Sequence, residues 1–424
     1  MWLKSTWRMA DRLWRARVWR PAHARLIWSS TVRGQGSRDT GLTDGDHLEA
    51  AVEWLCRAQD VMRDGGVCGR YALDAGWSSS YPETTGYIIP TFLALAEECR
   101  DARFEERAAR AVRFLLSVQL ASGAFPAGEI AENTVRPSVF NTAQVLAGLM
   151  AWHRSARDVR ALRAADRAAE WLTSVQGVDG AWRQHVYEGV VTTYTAHASC
   201  WLAEFGEYRG VRAFVEAAGR HLDWVLGHQD PVGGWFELAG FTAADHAARR
   251  AVTHTIGYTL WGLLRTSEIL NRRDGIAAVA RAAHGIAQQL ERVPWLSGVL
   301  DHEWRGCASY TCPTGNAQLA LTWLRLYRHT KSAEWLRAAC RALLLVADSQ
   351  PMFTNDPNIR GAIPGSAPIW GDYIGCALPS WAAKFFIDGL LEKQRALKER
   401  GVYEWSDATP HRDARHHPSS IANG

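Results

Sequence analysis

The chain has 424 residues, of which 47% are hydrophobic and 22% charged, with 21 Trp and a formal net charge of +4. That apolar content excludes disorder over the bulk of the chain, and no stretch of about 18 or more apolar residues is present to span a membrane. Eight Lys/Arg fall in residues 1–35 against the single acid Asp11, so the body is close to neutral and the overall basicity supports no nucleic-acid partner.

The chain begins with a basic, Trp-rich arm, residues 1–40. Leu3, Trp7, Trp14 and Val18 fall on one side of a helical projection, with Lys4, Arg8, Arg12 and Arg15 between them. Such a pattern suits a weak contact with an anionic membrane surface through residues 1–28. The reading preferred here is a solvated extension. The arm has no apolar core of a secretory signal. The eight Cys contain no C-x-x-C pair, which points to a reducing, cytoplasmic compartment. The polar residues 397–424 read as a tail.

Between these ends, residues 41–396 repeat one unit. A helix ends in Gln, a Gly-rich turn follows, and an aromatic closes it: Gln119-LASGA-Phe125, Gln176-GVDGA-Trp182, Gln229-DPVGG-Trp235. Gln59, Gln289 and Gln350 continue the series, the six lying 53 to 61 residues apart. Interleaved with them are apolar helical runs registering on Thr85, Thr142, Thr195, Thr255, Thr314 and Ser380, which we read as N-caps. The Gln-ending helices are amphipathic and the Thr-registered ones apolar nearly all round. Six alternating pairs predict an all-α fold, an (α/α)6 toroid with amphipathic outer and buried inner helices. The inner helices all start at one end and form a funnel there.

The Gln-x-x-x-Gly-x-Trp pattern resembles the repeats of squalene-cyclase and prenyltransferase toroids over residues 45–395. More narrowly, GWSSSYPETTGYIIPTFLALAEE, SVFNTAQVLAGL, PTGNAQLALTWLRLY and SWAAKFFIDGLL resemble a bacterial toroid-repeat group encoded among exopolysaccharide and capsule biosynthesis genes. The resemblance implies a pathway, polysaccharide biosynthesis. The chemistry of the terpene cyclases is not carried with it. Their Asp-x-Asp-Asp acid is absent, Asp301-His-Glu303 being the nearest acidic pair, and so is a diphosphate-binding Asp-Asp-x-x-Asp/Glu. Related toroids hold zinc with Asp/Cys/His or Cys/Cys/His. His197, His254 and Cys312 lie near three inner-helix starts, but their unequal offsets from the repeat register argue against three converging ligands. No metal and no cofactor is expected.

The residues around the inner-helix starts form a polar, aromatic lining suited to a sugar. Glu83 is the only carboxylate at such a start. Loop carboxylates that could partner it in hydrolysis are Glu129, Glu132, Glu188, Asp301, Glu303 and Asp372. In a lyase or epimerase, Asn141, His197 or Arg136 would neutralise a uronate carboxylate, and Tyr258, His254, Tyr81 and Tyr87 would move protons. Gln144 and Asn316 add amides, and Lys384, inside an apolar helix, requires a partner such as Asp372. The loop 298–307 gathers Trp304 and Arg305, and the long insertion 351–378 is placed to lid the funnel. Most Trp belong to the repeat, leaving Trp77, Trp304, Trp370 and Trp381 as candidates for stacking on a sugar. The expected function is a carbohydrate-active enzyme (lyase, epimerase or glycoside hydrolase) acting on an oligo- or polysaccharide, an acidic or exopolysaccharide glycan, in polysaccharide biosynthesis. A non-catalytic polysaccharide-binding or assembly factor and a terpenoid cyclase-like enzyme are the alternatives.

Overall fold

The structure, a computed structural model, describes residues 14–32, 41–130 and 135–400. Helix α1 (Pro21–Val32) belongs to the arm, and twelve long helices build the body. The inner ring is α3 (Pro82–Cys99), α5 (Val139–Ala156), α7 (Ala196–Arg209), α10 (Thr253–Ile269), α12 (Pro313–Thr330) and α14 (Ser380–Glu399). Each packs on the next, and α14 packs back on α3, so the ring closes. Outside it stand α2 (Asp44–Asp60), α4 (Arg103–Val118), α6 (Val159–Ser174), α8 (Arg212–Leu226), α11 (Arg273–Arg292) and α13 (Ala333–Ser349). Each inner helix packs on the outer helix that follows it, and the last inner helix, α14, takes the first outer helix, α2. The fold is the (α/α)6 toroid that the repeat predicts.

The repeat Gln is the fastener between outer helices. Its side-chain N–H donates both to the carbonyl of its own turn and to a carbonyl on the next outer helix. Gln119 bonds Gly123 O at 2.9 Å and Ala164 O at 2.8 Å, Gln176 bonds Gly180 O at 3.0 Å and Ala217 O at 2.9 Å, and Gln229 bonds Gly234 O and Ala278 O at 3.1 and 2.8 Å. Gln350 closes the circle onto His47 O and Gly361 O. In the fifth repeat α11 runs through Gln289 to Arg292 instead. Losing the amide removes two hydrogen bonds, one to its own turn and one to the neighbouring outer helix, each worth about 0.5–1.5 kcal/mol. Gln176→Ala is therefore expected to lower the unfolding free energy by about 2 kcal/mol, read from a chemical denaturation midpoint; an unchanged midpoint would remove the fastener role.

Four of the repeat Thr residues are not N-caps. The N-caps of α3, α5, α10 and α12 are Tyr81, Ser138, Val252 and Cys312, which leaves Thr85, Thr142, Thr255 and Thr314 inside the first turns. Thr85 Oγ1 accepts from Val67 N and Thr142 Oγ1 from Phe125 N, at 2.9 and 2.8 Å. Thr85 and Thr142 thus tie the exits of the first two turns to the inner helices beside them. Thr195 alone of the five Thr is an N-cap.

Short strands decorate the end where the inner helices begin. Strand β1 (Arg70–Ala72) lies between β2 (Gly76–Trp77) and β5 (Ala377–Pro379), and β3 (Arg250–Val252) pairs with β4 (Val299–Asp301), all antiparallel. β3 leads into α10 and β5 into α14. A five-residue helix, α9 (Ala243–Ala247), precedes β3. The arm differs from the solvated extension expected of it. His23, Leu26 and Ile27 of α1 are buried, Ser30 Oγ accepts from Ile369 N at 3.3 Å, and Thr31 Oγ1 accepts from Trp370 Nε1 at 3.0 Å. The expected amphipathic pattern over residues 1–13 lies outside the described residues, as does the tail beyond residue 400. No described helix is long and apolar enough to cross a membrane.

Candidate functional site

The starts of the inner helices converge on the ring axis and bring Glu83 among tyrosines. Tyr81 caps α3, and Glu83 is the second residue of that helix. The Tyr81 hydroxyl donates to Glu83 Oε2 at 2.6 Å. Burial pushes the Glu83 carboxyl up to about 7, against the opposing pull of the Tyr81 hydrogen bond. A helix N-terminus favours the ionised form by only about 0.3–1 kcal/mol, less than one pKa unit, so desolvation prevails. Glu83 nonetheless keeps some solvent exposure. Burial, reinforced by the charge of Glu83, also raises the Tyr87, Tyr194, Tyr258 and Tyr373 hydroxyls. A second carboxylate lies beside Tyr81. A Cβ on Gly69 would stand 3.0 Å from Glu129 Oε1 and 3.5 Å from Tyr81 Cδ1. Glu129 is held by Arg70 at 3.5 Å.

One turn deeper, an aromatic layer crosses the axis. Tyr258 is its hub, with ring centroids at 4.4 Å from His254, 4.6 Å from His197, 4.8 Å from Phe140 and 5.8 Å from Phe385. Tyr87 meets Phe385 at 5.8 Å. The Tyr258 hydroxyl has no hydrogen-bond partner. Burial holds both histidines neutral. It pulls His254 down to about 4, opposed by a 2.8 Å contact from Nδ1 to Gln318 Oε1, and lowers His197, with help from the charge of Lys384. Four of the five predicted catalytic residues, His197, His254, Tyr258 and Tyr87, are thus together in this layer, and Glu83 stands above it. The insertion 351–378 reaches over the same end, where Tyr373 packs on His254 at 5.4 Å and its hydroxyl accepts from Trp381 Nε1 at 3.2 Å.

Below the layer the axis opens again into a cavity of about 310 Å³ that runs toward the C-terminal ends of the inner helices. Its upper wall includes Tyr87, His197, Gln318, Lys384 and Phe385. Farther down it is lined by Trp201, Trp261, Glu204, Arg265, Arg325 and Arg395. The inner helices are therefore not apolar all round, because a charged stripe faces the axis. Lys384 finds its partner on its own helix, Asp388 Oδ2 at 2.7 Å, rather than in Asp372. Asp388 also accepts from Thr91 at 2.8 Å.

The remaining predicted residues divide. Asn141 is buried, with Nδ2 bonded to Pro126 O at 2.9 Å and its side chain close enough to bond the Tyr81 hydroxyl. Gln144 accepts from Trp201 Nε1 at 3.2 Å, and Asn316 donates to Thr311 Oγ1 at 3.1 Å. Arg136 is exposed. Trp304 lies against the outer wall, donating to Gly233 O at 2.9 Å beside Trp235, and Arg305 is exposed in ion pairs with Asp301 and Glu303. Trp370 is pinned to α1, Trp77 packs on Trp54, and Trp381 is buried against Tyr373. None of the four Trp selected for stacking lines the axial cavity; Trp201 and Trp261, read from sequence as repeat packing, do. Cys312 caps α12, accepting from Gly315 N at 3.4 Å. Among the described residues no group of His, Cys, Asp and Glu is arranged to hold a metal ion.

No protein-family model matches the chain, and no curated protein matches its sequence. Solved structures do match its fold. An unsaturated glucuronyl hydrolase specific for heparin aligns with a TM-score of 0.64 at 15% identity, over 83% of this chain and 97% of that one. Cellobiose 2-epimerase from Bacillus thermoamylovorans B4167 aligns at 0.65 and 14%, over 82% and 98%. An unsaturated glucuronyl hydrolase from Bacillus sp. GL1, described as responsible for glycosaminoglycan degradation, aligns at 0.63 and 15%, over 85% and 98%. These likenesses span more than four-fifths of this chain and agree with the all-α toroid.

Proposed function

We propose that the chain is a carbohydrate-active enzyme of glycoside hydrolase type, with Glu83 as the proton-transferring group and an oligo- or polysaccharide as substrate. The observation that carries this is the Glu83 carboxyl: titrating near 7, bonded to Tyr81, partly exposed, with Glu129 beside the same tyrosine. Hydrolysis of a glycosidic bond needs one protonated and one ionised carboxyl group across the bond. Glu83 is built to hold its proton at neutral pH. Glu129, paired with Arg70, supplies the negative charge. The sugar-acting enzymes whose folds match this one support the substrate class, and the sequence resemblance to exopolysaccharide-associated proteins supports a place in polysaccharide assembly. Incubation with neutral and uronate-containing oligosaccharides tests the reading. New reducing ends without near-ultraviolet absorbance are expected. An unsaturated, ultraviolet-absorbing product would replace hydrolysis with elimination, and a cyclised product from squalene or a prenyl diphosphate would overturn the sugar assignment.

A lyase or epimerase is the second reading, favoured by the unpartnered Tyr258 hydroxyl between two neutral histidines. There Tyr258 and His254 would exchange the proton on a sugar carbon. A C-epimer formed with deuterium uptake from heavy water would select it.

For the arm, the proposal is a weak contact with an anionic membrane surface. Trp14, Trp19 and Trp28 are 68%, 57% and 70% exposed, whereas among the described residues no Trp of the body is exposed. Arg15, Arg20 and Arg25 are exposed near them in sequence, and residues 14–32 hold no acid. Indole rings with guanidinium groups suit an anionic headgroup layer. Sedimentation with phosphatidylglycerol vesicles, weakened by high salt and by Trp28→Ala, is the expected result; equal sedimentation with phosphatidylcholine vesicles would refute the charge argument.

A further inference from the structure

We propose that the cavity below the aromatic layer is a second saccharide site, for one neutral sugar ring, entered from the C-terminal end of the inner helices. It is argued from its own walls and does not depend on the role of Glu83. Three observations converge on a sugar. The first is size: about 310 Å³ lies at the lower edge of small-ligand pockets, roughly 300–1,000 Å³, enough for a single hexose with its hydration.

The second is the pattern of polar groups. His197 and Gln318 are 3% and 2% exposed, both line the cavity, and each has a ring or amide nitrogen without a partner. Gln318 bonds His254 through one end of its amide, so whichever way round the amide sits, its other end is unsatisfied. Each of these nitrogens is closed off from solvent, so a ligand hydroxyl would reach it through a rotamer adjustment, which the unpaired buried group favours.

The third is charge. The cations on the wall are matched: Lys384 by Asp388 at 2.7 Å, Arg265 by Glu204 at 3.1 Å, Arg325 by Glu268 at 2.7 Å and Arg395 by Glu392 at 3.0 Å. An anionic ligand would have to displace a carboxylate from each cation it used. A neutral polyol does not, because its hydroxyls donate to the carboxylates and accept from the guanidinium groups in place. Trp201 and Trp261 supply aromatic surface for the C–H faces of the ring. The Trp201 indole is fixed by its bond to Gln144, and Arg325 lies over Trp261 at 5.9 Å from the ring.

The test titrates the full chain with methyl β-D-glucopyranoside, N-acetylglucosamine and sodium D-glucuronate, read by tryptophan fluorescence and calorimetry. A neutral sugar is expected to bind with a Kd in the millimolar range, about −4 kcal/mol, and glucuronate about tenfold more weakly. Gln318→Leu and Trp261→Ala should each weaken binding by about tenfold or more, with circular dichroism confirming that both variants are folded. Glu83→Gln should bind as the parent does. Binding that survives Gln318→Leu and Trp261→Ala, or that prefers glucuronate, overturns the proposal. So does the absence of binding by either neutral sugar. Binding lost in Glu83→Gln but kept in Trp261→Ala would move the sugar above the aromatic layer, against this site but in keeping with the Glu83 assignment.

Discussion

Replacing Glu83 by Gln is expected to lower kcat on the cognate saccharide by about 100- to 10,000-fold, the range that a positioned general acid contributes. The amide keeps the shape of the carboxyl and can still accept from the Tyr81 hydroxyl, so KM and folding should change little. The distinguishing readout is the pH profile. A general acid works only while protonated, and the Glu83 carboxyl sits near 7. Parent activity should therefore fall as pH rises through about 7, and that limb should be missing from the residual activity of Glu83→Gln. A structural role would lower activity at all pH values and leave the limb in place. Tyr81→Phe removes the bond that opposes burial, so the same limb should move to higher pH in that variant.

The same carboxyl makes a stability prediction of opposite sign. Its folded value is raised above the ordinary 4.5, so the fold prefers it protonated. Its contribution to stability is complete below about 4.5 and is lost as pH rises through about 7. Holding an ionised carboxylate there at pH 8 costs on the order of 3 kcal/mol. Glu83→Gln should then be more stable than the parent at pH 8 and nearly equal at pH 4, seen as a difference in Tm that grows with pH. Variants with lower activity and higher stability are the usual sign of a strained functional group.

How much of this was legible in the sequence depends on which physical relation the residue serves. The Gln series was legible because one backbone geometry recurs around the ring, and only an amide of that length bridges two carbonyls from it. Thr85 and Thr142 were legible as a register and misread as caps. A Thr one turn inside a helix that accepts a turn N–H follows the same spacing as a cap. Glu83 was singled out because a lone carboxylate at an apolar helix start is unusual. Trp201 and Trp261 were missed because their spacing marks an inner helix without saying which of its sides meets the axis. A signal was present in hindsight. Glu204, Arg265, Arg325 and Asp388 are charges three or four residues from a cavity-lining residue on otherwise buried helices. A charge there has to face water, and the only water inside a closed ring is on its axis. Trp304 and Trp370 misled for the converse reason. Loop tryptophans were assumed free to bind, yet each spends its indole N–H on a structural acceptor.

Gly123→Ala is expected to be strongly destabilising, with Gly210→Ala as its matched control. Gly123 has φ of +93°, and a Cβ there would lie 2.5 Å from Arg167 O on the next outer helix and 3.0 Å from Arg167 Cβ. Gly210 also has a positive φ, +67°, but a Cβ on it meets nothing within 4 Å. Gly210→Ala therefore measures the backbone cost alone, about 1–2 kcal/mol for an L-residue in the left-handed region. Gly123→Ala adds the displacement of α6 from the turn, typically about 1–3 kcal/mol, for a total of about 2–5 kcal/mol. Displacement also stretches the Gln119 bonds to Gly123 O and Ala164 O, so Gln119→Ala should cost less in the Gly123→Ala background than alone. Denaturation of the four variants separates the two accounts. Equal losses for Gly123→Ala and Gly210→Ala would show that the turn needs glycine for its dihedral angle only. Sub-additive losses with Gln119→Ala would show that close approach of adjacent outer helices, clamped by the repeat amide, holds the ring shut and so fixes the inner-helix starts around Glu83.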